Sequence, residues 1–197
     1  WFTTNPDCRS RNGCSNPLHR GNSISDNDPP AEAVGIDGIE KIIKEESLIR
    51  ACEDGQDKEA RWNMMMASTE GAMAFSKGLG AVHSMSHALG ANQELRLHHG
   101  TLNAVILPSV LRFNQNHVED KYTRIARAMG NKVTTDLADE IEKLNEKIGM
   151  PASLSEMGVT EDMIPQLVAH AATDPSNLTT PRLPSIEEWE KLFLEAM

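Results

Sequence analysis

Four of the chain's seven histidines fall between positions 83 and 99, in the stretch "HSMSHALGANQELRLHH". His83 and His87 are four residues apart, and on a helix that spacing puts two imidazoles on one face, one turn apart. Such a pair can offer two nitrogens to one metal ion, or one imidazole to a metal and the next to its substrate. It can equally be a hydrogen-bonded pair inside a core. His98 and His99 follow a polar loop that can bring them back toward the first pair, and Gly100 lets the backbone beside them pack closely. Imidazoles from two neighbouring helices are how helical domains assemble a metal centre in their interior. We read His99 as a ligand, and His98 is also compatible with a surface loop.

The elements that have to position these rings read as helices. Hydrophobic residues make up 39% of the chain and aromatics only 4%, with ten methionines, so a core of Leu, Ile, Val, Ala and Met is expected, which suits packed helices. Val34, Ile36, Ile39, Ile42 and Ile43 recur near helical spacing, with Pro29 or Pro30 in the first turn and Asp28 as cap. A second helix is predicted from Asp57 to about Lys77, ended by Gly78 and Gly80. A shorter one fits Ala81 to about Gly90. After Gly100, "TLNAVILPSVLRFNQ" reads as a buried helix kinked or interrupted at Pro108. Further helices fit 121–129, 135–148, 160–172 and 186–196, with Thr160 and Ser185 as starts. No repeat and no strand pattern stands out, so the fold class is all-α.

A formal charge of −10 argues against a nucleic-acid surface or a polybasic membrane anchor, both of which need clustered Lys and Arg. No apolar run reaches the roughly 18 residues of a membrane span. Cys8, Cys14 and Cys52 show no CxxC spacing, which fits a reducing cytoplasm.

"GLGAVHSMSHALGA" followed by "HHGTLNAVILPSVLRFN" resembles the signature of the iron-containing (group III) alcohol dehydrogenases: G-x-x-H-x-x-x-H-x-x-G, then H-G-x-x-N-A-x-x-L-P. The likeness runs from Ser23 to Met197 and implies the helical C-terminal domain of the dehydroquinate synthase-like fold. It implies that His83 and His99 are metal ligands, and that His87 lies beside substrate and nicotinamide with a role in proton transfer or substrate positioning. The loop between His87 and His99 is longer than in familiar members, so His98 can stand in for His99. The implied cofactors are a divalent metal, Fe(II) before Zn(II), and NAD or NADP in the complete protein. The implied substrate is a small alcohol or aldehyde, polarised at its oxygen so that hydride passes to the nicotinamide. Whether the complete protein is a homo-oligomer stays open.

Family members carry two further ligands in a D-x-x-x-H stretch, which has no counterpart in residues 1–22, "WFTTNPDCRSRNGCSNPLHRGN". Reading "NGCSNPLHRG" one base forward permits M-D-A-V-T-H-C-I-E-A, which puts Gly13 and Pro17 where the ligand Asp and His belong. The expectation is therefore a non-native leader over 1–22, an all-helical metal-binding domain over 23–197, no nucleotide-binding domain, and a chain inactive by itself. Rival readings are maleylacetate reductase, hydroxyacid-oxoacid transhydrogenase, and a catalytically dead helical metal-binding module.

Overall fold

The computed structural model describes residues 28–43, 46–131 and 136–197; the readings made on the leader, including those of Gly13 and Pro17, lie outside them. The described residues form nine α-helices and no strand: α1 (Pro29–Ile43), α2 (Ser47–Glu53), α3 (Lys58–Met73), α4 (Ala81–Gly90), α5 (His99–Asn114), α6 (Glu119–Ala128), α7 (Leu137–Lys147), α8 (Ile164–Thr173) and α9 (Ile186–Ala196). Short 3-10 turns follow α3 (Ala74–Lys77) and α8 (Pro175–Thr179). None of the described helices is long and apolar enough to cross a membrane.

The helix starts follow local chemistry. Asp28 accepts from the Ala31 amide at 3.2 Å, and Asp57 caps α3 through the Ala60 amide at 3.0 Å. Ser185 and Glu188 close a reciprocal capping box on α9. Glu46, the residue ahead of α2, takes a left-handed backbone (φ 49°). Thr160 makes no side-chain cap; a 3-10 turn, Glu161–Met163, leads into α8 instead.

At the centre lies α5, buried at every position from Gly100 to Leu111 and packed against α4, α7 and α9. It is not interrupted at Pro108. Proline has no N–H for the carbonyl four residues earlier, and here Asn145 of α7 donates to that carbonyl, Ala104 O, at 2.8 Å.

A buried ion network fixes the approach to α4. The Lys77 side chain is fully buried and meets Glu32 at 3.2 Å, while Lys121 and Arg124 of α6 reach the same carboxylate, Arg124 at 2.6 Å. Burial pushes the Glu32 carboxyl up, but the three cations outweigh it and hold the group at about 2. The network joins α1, α6 and the turn that feeds Gly78–Gly80 and then the helix bearing His83.

Candidate metal and proton-transfer site

The histidines meet where α4 ends against the start of α5. The ring centroids of His83 and His99 are 5.3 Å apart, those of His83 and His87 5.8 Å, and those of His87 and His99 5.7 Å, the last pair stacked at 19°. The i, i+4 spacing on α4 supplies two corners of this triangle, and the return of the chain through the polar loop to the start of α5 supplies the third. His83 is fully buried, whereas the side chain of His87 is 39% exposed. His98 takes a different place. As the N-cap residue of α5 it accepts from the Thr101 amide at Nδ1, a long bond of 3.4 Å.

Two imidazoles on one tetrahedral ion, each with N at about 2.1 Å and its ring centre about 1.1 Å beyond, have centroids roughly 5.2 Å apart. The three separations, 5.3 to 5.8 Å, are all of that order, so distance by itself admits any pair of these rings. At His99 the Asn103 amide nitrogen lies 3.1 Å from Nε2 and the Ser86 hydroxyl 3.4 Å from Nδ1, so an ion binding this ring displaces one of those contacts. The described residues contain no group of three or more His, Cys, Asp or Glu side chains arranged to hold an ion. A site with three protein ligands therefore needs a donor beyond His83 and His99.

His87 has a partner that sequence reading missed. Its Nδ1 lies 3.0 Å from Oδ2 of Asp174, whose side chain is only 7% exposed. Burial raises the Asp174 carboxyl, but hydrogen bonds from Ser176 and the His87 ring more than offset this and hold it below the ordinary Asp range. Locally "TDPSNL" signals a capped turn, and Asp174 does cap it: Oδ1 accepts from the Ser176 amide at 2.8 Å. Nothing in that pattern points to a histidine 87 residues earlier in the chain.

The turn is stitched to α4 and to the segment just before it at further points. Ser84 donates to Asn177 Oδ1 at 2.7 Å, and the Thr179 hydroxyl donates to the Leu79 carbonyl. That close approach needs Gly78, whose φ of 81° and ψ of −172° lie in a region open essentially to glycine alone. A Cβ there would overlap the Thr179 side chain.

The profile described as "Fe-containing alcohol dehydrogenase family, C-terminal" matches residues 24–197. Over 176 residues the chain is 43% identical to 4-hydroxybutyrate dehydrogenase of Cupriavidus necator, an alignment covering 86% of this chain and 46% of that protein. Over 180 residues it is 33% identical to 1,3-propanediol dehydrogenase of Klebsiella pneumoniae, covering 87% and 46%. The crystal structure of 1,3-propanediol oxidoreductase superposes with a TM-score of 0.84 at 31% identity, over 92% of this chain and 48% of that one. The chain thus spans about half the length of the relatives it matches.

Proposed function

Because the chain belongs to the Fe-containing alcohol dehydrogenase family, whose C-terminal domain it carries, we propose that it is the metal-binding half of a nicotinamide-linked oxidoreductase acting on a small alcohol or aldehyde. The observation that carries this reading is the convergence of His83, His87 and His99, from two helices, within 5.3 to 5.8 Å of one another. In it His83 and His99 hold a divalent ion, Fe(II) or Zn(II), and His87 carries the proton of the substrate hydroxyl. A divalent ion supplies Lewis-acid polarisation of an alcohol oxygen, and NAD or NADP supplies the hydride acceptor. The chain's own residues do the rest: the Glu32 network and the Asp174–Thr179 turn hold α4, and the 39% exposure of the His87 side chain leaves its ring an opening to solvent.

The names of the relatives, 4-hydroxybutyrate dehydrogenase and 1,3-propanediol dehydrogenase among them, support a small alcohol or aldehyde as substrate. The matched stretch is 46% of each of these relatives, so turnover is proposed for the complete protein.

The test is equilibrium dialysis of the chain against Zn(II) and Co(II), with His83→Ala, His87→Ala, His98→Ala and His99→Ala. His83→Ala and His99→Ala are expected to lower the metal bound, while the other two leave it near the parent value. Equal loss in the His83, His87 and His99 variants would overturn the division of roles, and undiminished binding in all four would overturn the metal site.

A further inference from the structure

A histidine that moves a proton has to present a defined nitrogen, yet a neutral imidazole can carry its hydrogen on either one. His87 is the most open ring of its pair on α4, so its own burial does not set which. The geometry points to Asp174 as the positioning residue that sets it: we infer that Asp174 holds His87 in the Nδ1–H form, leaving the Nε2 lone pair on the side of the ring away from the carboxylate. This rests on the reading of His87 as the proton carrier.

Three observations support it. The Asp174 side chain is 7% exposed with Oδ2 3.0 Å from His87 Nδ1, and an ionised carboxylate only accepts, so Nδ1 must carry the hydrogen. The other oxygen, Oδ1, is taken by the Ser176 amide at 2.8 Å, so the carboxylate cannot rotate away without uncapping its own turn. The turn is itself fixed to α4 by the Ser84–Asn177 bond at 2.7 Å and to the segment just before α4 by the Thr179–Leu79 bond, while Asn177 Nδ2 donates to the Ala171 carbonyl of α8 at 2.8 Å. Carboxylate and imidazole are therefore carried on one rigid unit, although Asp174 follows His87 by 87 positions. This is the general arrangement in which a buried carboxylate fixes the tautomer of an imidazole that exchanges a proton.

Long-range 1H–15N correlation on the 15N-labelled chain, in the presence of a chelator and with His87 assigned through His87→Gln, reads the protonated nitrogen directly. The parent chain is expected to show Nδ1 protonated and Nε2 bare. In Asp174→Asn the Ser176 amide keeps the oxygen of the new side chain, its NH2 faces His87, and the hydrogen is expected to move to Nε2. An Nε2–H ring in the parent, or an Nδ1–H ring that persists in Asp174→Asn, overturns the inference. A purely structural Asp174 would lower the unfolding midpoint of the variant and leave the protonated nitrogen unchanged. The parent spectrum decides the matter even where the variant fails to fold. Since the chelator removes metal, failure here is distinct from failure of the His83 and His99 metal site, which the dialysis reads.

Discussion

Asn145 donates its side-chain N–H to the carbonyl of Ala104 at 2.8 Å, the carbonyl that Pro108 leaves without a helical donor. The bond lets the central helix pass unbroken through a proline with its backbone polar group satisfied. Asn145→Leu should destabilise the chain by about 1–2 kcal/mol, since a buried carbonyl loses its partner. In a Pro108→Ala background the restored N–H should serve Ala104, and the same substitution should cost well under half as much. Urea unfolding of the four proteins measures the coupling; equal costs in both backgrounds would show that the two residues act independently.

Glu32 should dominate the acid limb of stability. Its carboxyl sits at about 2 in the folded chain against an ordinary value of 4.5. A depressed carboxylate contributes stability that is fully present above the unfolded value and is lost as pH falls through the folded one. Between pH 5 and pH 2 the loss from this group is on the order of 3 kcal/mol. Glu32→Gln should remove that part of the slope, and near neutral pH it should cost on the order of 3–5 kcal/mol, because Lys77 remains fully buried without the carboxylate. Urea midpoints measured from pH 2 to 7 give the comparison; parallel curves for parent and variant would refute it.

Gly78→Ala should cost at least 1–3 kcal/mol from backbone strain alone, with overlap against Thr179 added. Gly55, which has open space where a Cβ would go, provides the control, and Gly55→Ala should be close to neutral. Thermal unfolding followed by circular dichroism separates the two, and a Gly78→Ala chain as stable as the control would remove the case for the tight α4 entry.

Asn103 is 1% exposed, and its Oδ1 has no hydrogen-bond partner among the described residues, while its Nδ2 sits beside His99. If an ion binds His99 at Nδ1, Nε2 carries the hydrogen and this amide, turned so that Oδ1 accepts from it, is the group that orients the ring. Asn103→Leu should then weaken Zn(II) binding about 10- to 100-fold, the usual effect of removing a group that supports a ligand. Calorimetric titration measures it; an unchanged dissociation constant would mean that the ring is held by other contacts.

His98→Ala offers a contrasting outcome. It removes a long cap on α5 and should lower stability by under about 1 kcal/mol. Metal binding should stay at the parent level, whereas a loss matching that of His99→Ala would place His98 at the ion instead.

Residue order alone sets the helices and the nearest chemistry. Asp28, Asp57 and Ser185 are legible as starts because capping is decided within four residues. The helix read from Ala81 to about Gly90 is found at Ala81–Gly90, because Gly80 and the apolar spacing bound it locally. The same locality makes His83 and His87 a pair before any fold is known, since the helical period alone puts them on one face.

Tertiary structure decides whatever depends on partners distant in the chain. Pro108 reads as a kink or a break because its missing N–H is local, while the Asn145 side chain that serves the freed carbonyl comes from a separate helix. Sequence reading favours His99 and leaves His98 able to stand in for it; the packing of α5 against α4 puts the His98 ring at a helix cap and the His99 ring 5.3 Å from that of His83. Asp174 has no local sign of its second partner, because a carboxylate that caps a turn looks the same whether or not an imidazole is folded against its other oxygen.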